Sequence, residues 1–147
     1  MTSIVNKPLT VCSVDPLTGY LRNGYCKNRD DDSGTHVVCA KMTDEFLNFT
    51  KSKGNNLSTP SDDFPGLKSG DKWCLCALRW KEANKVNKAP PLDLNASDIS
   101  ALKFNTLDAY SKKTITNQRG GRKKKRQSLY KRKSKRYYTK KIYRLVR

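Results

Sequence analysis

The ten residues Asp71 to Trp80 (DKWCLCALRW) hold both tryptophans of the chain and two of its five cysteines. No other stretch limits the fold as strongly. A tryptophan buries a large area, so the rest of the chain must build its core around this segment. Read as a strand, it turns Trp73 and Leu75 to one side and Cys74 and Cys76 to the other. Gly70-Asp71 before it reads as a turn. Arg79-Trp80-Lys81-Glu82-Ala83 after it has helix-forming composition, so strand passing into helix is expected, with the helix ending near Lys85. Ala89-Pro90-Pro91 cannot continue it.

The other elements arrange themselves about this anchor. Residues 7–29 carry Asp15-Pro16-Leu17-Thr18-Gly19 and Arg22-Asn23-Gly24, two turn signals that predict a loop-rich entry with room for one hairpin. His36-Val37-Val38-Cys39-Ala40 is a β-branched run and reads as a short buried strand. Thr43 to Phe49 opens a helix: Thr43 suits the cap, Asp44 and Glu45 fill the first turn, and Gly54 suits the end. Leu92 and Leu94 alternate like an edge strand, and residues 97–104 and 106–111 predict short helical turns. Helices and strands intermix without a βαβ rhythm. The expected fold class is therefore α+β, one compact domain with short strands and a few short helices.

Charge divides the chain. Its net charge is +18, yet residues 119–147 hold fifteen Lys/Arg and no acid, leaving sixteen basic against thirteen acidic residues in 1–118. The expected organisation is thus a near-neutral head, 1–118, and a polycationic C-terminal arm, 119–147. Gly120-Gly121 reads as a hinge between them. No stretch approaches the ~20 apolar residues needed to cross a bilayer. The N-terminus lacks a charged region followed by an apolar run, so no signal peptide is expected and a reducing compartment is the default. Cys12, Cys26, Cys39, Cys74 and Cys76 are then expected as thiols. The head is also long enough to bury a core without a disulfide or metal staple.

Many short motifs recur in one order: Leu9 to Arg22 (LTVCSVDPLTGYLR), Gly24-Tyr25-Cys26, His36 to Phe49 (HVVCAKMTDEFLNF), Gly54 to Pro60 (GNNLSTP), Phe64-Pro65-Gly66-Leu67, Gly70 to Trp80, Glu82-Ala83 and Ala89-Pro90-Pro91. On these, residues 8 to 110 resemble the bacterial and algal family known as Domain of Unknown Function 2237. All five cysteines fall where that family looks cysteine-bearing. The resemblance implies a compact α+β domain and carries no established activity. The basic arm departs from the family. In composition it resembles the Lys/Arg/Tyr-rich ends of structural proteins from large DNA viruses.

Three chemistries are compatible with these residues. His36-x-x-Cys39 with Cys74-x-Cys76 would supply four soft ligands to zinc, with Cys12 and Cys26 in reserve. Structural zinc usually shows two Cys-x(2–4)-Cys pairs, which this chain lacks, so cysteine as a small buried hydrophobe is favoured. A thiol enzyme would pair Cys12 or Cys26 with His36, the only histidine, oriented by Asp15 or Asp44. The arm gives the strongest chemistry. Arg119, Arg122, Lys123, Lys124, Lys125, Arg126, Lys131, Arg132, Lys133, Lys135, Arg136, Lys140 and Lys141 would pair with phosphates, and Tyr137 and Tyr138 would stack on exposed bases. No spacing in the arm reads base edges, so binding would be sequence-independent.

The expected function is a non-enzymatic binding or structural protein without a cofactor. Its arm would engage nucleic acid, an acidic protein surface or neighbouring capsid subunits. The concrete form is a minor capsid or core component of a large DNA virus, located in the virion or in host cytoplasm or nucleus and not secreted. The rival is a thiol- or metal-dependent enzyme with a nuclear-import tail.

Overall fold

β1 (Val38–Lys41) and β2 (Lys72–Leu75) pair antiparallel, with Val38 opposite Leu75, Cys39 opposite Cys74, Ala40 opposite Trp73 and Lys41 opposite Lys72. This two-stranded sheet is the centre of the computed structural model, which describes residues 1–115. The period of two sorts the strands by face, as expected from the sequence. Val38, Ala40, Trp73 and Leu75 enter the main apolar core, while Cys39 and Cys74 join a second buried cluster with Cys12, Cys26 and Ala96.

Helix α1 (Asp44–Ser52) follows β1. Its cap is the expected one: the Thr43 Oγ1 accepts a hydrogen bond from the Phe46 N–H at 3.2 Å. Phe46, Leu47 and Thr50 form its buried stripe. Gly54, at φ +80°, takes the left-handed conformation just past its end. Helix α2 (Ala77–Lys85) leaves β2 after a single residue, so strand does pass into helix around the tryptophans. Trp80 is fully buried, and its indole N–H donates to the Pro90 carbonyl at 2.9 Å. A 3₁₀ turn (Ile99–Lys103) and the short helix α3 (Leu107–Ser111) close the domain. The α+β class holds, with short helices as predicted.

Tyr110 of α3 is the far wall of the core. Its ring lies 4.8 Å from that of Trp80, and its hydroxyl donates to the Ala101 carbonyl at 3.0 Å. Burial pushes this phenol up to about 12, because the phenolate would lose its hydration there. Leu92 bridges Ala40 on one side and Thr114 on the other, so the predicted edge strand is reduced to isolated bridges. The entry segment is loop-rich as expected, but no hairpin forms in it. Val14 and Leu17 meet only as an isolated bridge around a tight turn.

The expectation of free thiols is overturned. Cys12 is disulfide-bonded to Cys39 and Cys26 to Cys74, with Cα atoms 5.6 and 5.1 Å apart, and only Cys76 is a free thiol. The sequence reading missed that the loops before residue 30 fold over the cysteine face of the sheet. The core is therefore stapled. Disulfides persist in oxidising surroundings, which counts against the reducing compartment expected above. Among the described residues no helix is long and apolar enough to cross a membrane.

Candidate functional site

The cysteine cluster begins with backbone hydrogen bonding. The Cys39 N–H donates to the Ser97 Oγ at 2.9 Å and its carbonyl accepts from the Asp93 N–H, while the Cys74 N–H donates to the Thr18 Oγ1 at 2.8 Å. Both residues thus direct their backbone groups away from each other. That makes them a non-hydrogen-bonded cross-strand pair, the kind whose side chains come closest. Ser97 and Thr18 are themselves fully buried, so the two hydroxyls satisfy amides that water cannot reach. Loop residues then close over the pair. Cys12 is fixed by its N–H donating to the Gly24 carbonyl at 2.8 Å, and Cys26 bridges Ser97.

The sulfurs of Cys12, Cys26 and Cys39 lie within 4.8 Å of one another, and that of Cys74 is bonded to Cys26. All four residues are at most 5% exposed. Two disulfides therefore sit side by side in a closed apolar chamber. Neither can be reached from solvent without opening the loops.

The expected zinc set, His36, Cys39, Cys74 and Cys76, is not brought together as ligands. Cys39 and Cys74 are each bonded to a loop cysteine, β2 ends at Leu75, and Cys76 takes the N-cap position of α2. His36 is committed elsewhere. Its Nδ1 lies 2.8 Å from Asp32 Oδ1, and its backbone N–H donates to Asp32 Oδ2 at 2.8 Å. The Gly34 N–H donates to the same carboxylate at 3.1 Å. Asp32 is thus a buried carboxylate that organises the turn preceding β1, and it, rather than Asp15 or Asp44, holds the imidazole. The sequence carried a local signal for this in Asp32-x-Gly34-x-His36, a short acceptor two and four residues before its donors.

The suggested thiol nucleophiles, Cys12 and Cys26, carry no thiol in this structure. Asp15 lines an open cleft of about 410 Å³ with Pro16, Ser58, Gly66, Lys68 and Asp71. Asp44 stands in the first turn of α1, where its charge favours the helix N-terminus. The nucleophiles proposed from sequence are thus engaged as disulfides, and the proposed base is engaged by Asp32. The basic and aromatic residues assigned to polyanion contact, Arg119 through Lys141, lie outside the described residues.

Comparison with known proteins agrees with the resemblance read from the motifs. A family model described as "Uncharacterized protein conserved in bacteria (DUF2237)" matches residues 2–114. A search of curated proteins gave no match.

Proposed function

The chain belongs to the DUF2237 family, and we propose that it is a non-enzymatic binding protein in which the family domain carries an arm for polyanions. One observation supports this above all. Fifteen Lys/Arg and no acid occupy residues 119–147, beyond the matched span, while the preceding 118 residues are nearly balanced in charge. Each basic group that neutralises a phosphate releases a condensed counterion, so a dense run of them favours nucleic acid without reading its sequence. Interleaved Tyr130, Tyr137, Tyr138 and Tyr143 add stacking surfaces for exposed bases.

The two disulfides fit this reading in its particle form. Cross-links of this kind persist on virions and cell surfaces. A stapled head with a basic arm is suited to an assembly that must survive outside a cell while holding a genome. Fully extended at ~3.3 Å per residue, 29 residues would span about 95 Å, enough to follow a nucleic acid or cross a neighbouring subunit.

The test is replacement within the full chain. Changing Arg122 to Arg126 and Lys131 to Arg136 to glutamine at every basic position should weaken binding to unrelated DNA sequences alike. If the variant binds as the parent does, or if the parent prefers one sequence strongly, the proposal fails.

A further inference from the structure

We propose that the four cysteines of the paired disulfides form, when reduced, a tetrahedral zinc site made by Cys12, Cys26, Cys39 and Cys74. The geometry of the sulfurs carries the argument. Structural zinc takes four thiolates at ~2.3 Å in a closed site, which sets neighbouring sulfurs about 3.8 Å apart. In this protein three of the sulfurs already lie within 4.8 Å of one another and the fourth is bonded to one of the three. Once the two S–S bonds are broken, the bonded sulfurs must part to about 3.8 Å while the others, that of Cys74 included, close up to the same spacing. The backbone that positions them is fixed independently. Cys39 and Cys74 are opposed across the sheet, and their amides are held by Ser97 and Thr18.

The chamber has the character of a structural rather than a catalytic site. Its four residues are buried, and Ala96 completes the cluster. Four thiolates would fill the coordination shell and leave no open position for water or substrate. The linkage would also be preserved: residues 12 and 26 remain tied to the two strands whether the tie is sulfur–sulfur or sulfur–metal–sulfur. Without either, four thiols would be left in an apolar pocket with the loops unpinned.

The chemistry balances as follows. Reduction of each disulfide takes two electrons and two protons from a dithiol reductant, which leaves as its own disulfide, giving four thiols in all. Zinc binding then displaces four protons and leaves a site of net charge −2. Oxidation of the thiolates by a disulfide-class oxidant reverses the sequence and releases the metal. Metal binding in this protein is therefore exclusive of the disulfides, and it ties the fold to the redox state of its surroundings.

The experiment uses the full chain, reduced under exclusion of oxygen and titrated with Co²⁺, a spectroscopic stand-in for Zn²⁺. One equivalent should give the visible and thiolate charge-transfer absorption of a tetrahedral sulfur site, and one equivalent of Zn²⁺ should bleach it. The oxidised chain should give none. The absorption should be lost in Cys12→Ser and in Cys26→Ser and kept in Cys76→Ser and His36→Gln. A second reading needs no variant. In the reduced, zinc-loaded chain an alkylating reagent should modify Cys76 alone, and a chelator should expose all five cysteines. No tetrahedral absorption at one equivalent, absorption that depends on Cys76 or His36, or alkylation unaffected by zinc would each overturn the proposal.

Discussion

Gly19 shows how narrowly one residue can be specified. It sits at φ +95°, and a Cβ added there would lie 2.5 Å from the Tyr25 carbonyl oxygen. The backbone of Tyr25 passes too close for any side chain. Gly19→Ala should therefore destabilise the domain by about 2 kcal/mol or more, measured by denaturant unfolding, because both the conformation and the contact oppose it. Tyr110 makes a different kind of demand. Its phenol is held neutral, its folded value of about 12 standing above the ordinary value near 10. Stability contributed by this group is complete below pH ~10 and is lost as pH rises through about 12. Unfolding followed from pH 9 to 12.5 should show falling stability in the wild type. Tyr110→Phe should lower stability modestly at neutral pH, because the buried hydroxyl's hydrogen bond to the Ala101 carbonyl is lost while the Phe104 N–H still donates there, and should flatten the alkaline fall.

At the scale of elements, the two disulfides do what helix and strand cannot. Much of the first 35 residues is irregular, so their attachment to the sheet depends on the cross-links as well as on isolated bridges. Sequence separations of 27 and 48 residues imply loop-closure contributions of about 3.5 and about 4 kcal/mol. Replacing Cys12 and Cys39 together by serine should cost about 3 kcal/mol, and the Cys26/Cys74 pair slightly more. Thiol counting on the unreduced, denatured chain should find Cys76 alone. Five titratable thiols would show the staples to be absent.

What the sequence revealed at this scale was local. The alternation Trp73-Cys74-Leu75 gave the two faces of β2, Thr43 gave the start of α1, and the prolines at 90 and 91 gave the limit of α2. The pairing of cysteines was not legible, since it joins residues far apart through loops whose path no periodicity encodes. For the same reason the spacing of Cys74 and Cys76 misled. The strand ends between them, so one enters the sulfur cluster and the other begins a helix. The spacing of Asp32, Gly34 and His36 is the one local hint of their pairing; an acidic loop otherwise reads as solvated, whereas the Asp32 carboxylate is nearly buried.

At the scale of the molecule, two kinds of physics divide the chain. Residues Met1–Ile115 form one compact unit with an apolar core and a sulfur cluster. The properties proposed for the arm follow from its charge, with its tyrosines adding stacking, and on this account they decide the partner. The most direct test is DNA affinity across a salt series, for the full chain and for residues 1–118. If the arm neutralises six or more phosphates, the affinity of the full chain should fall by about 10³ or more between 50 and 200 mM salt. The shortened chain should show no comparable binding. Equal binding by residues 1–118 with the same salt dependence, or full-chain binding indifferent to salt, would contradict the account.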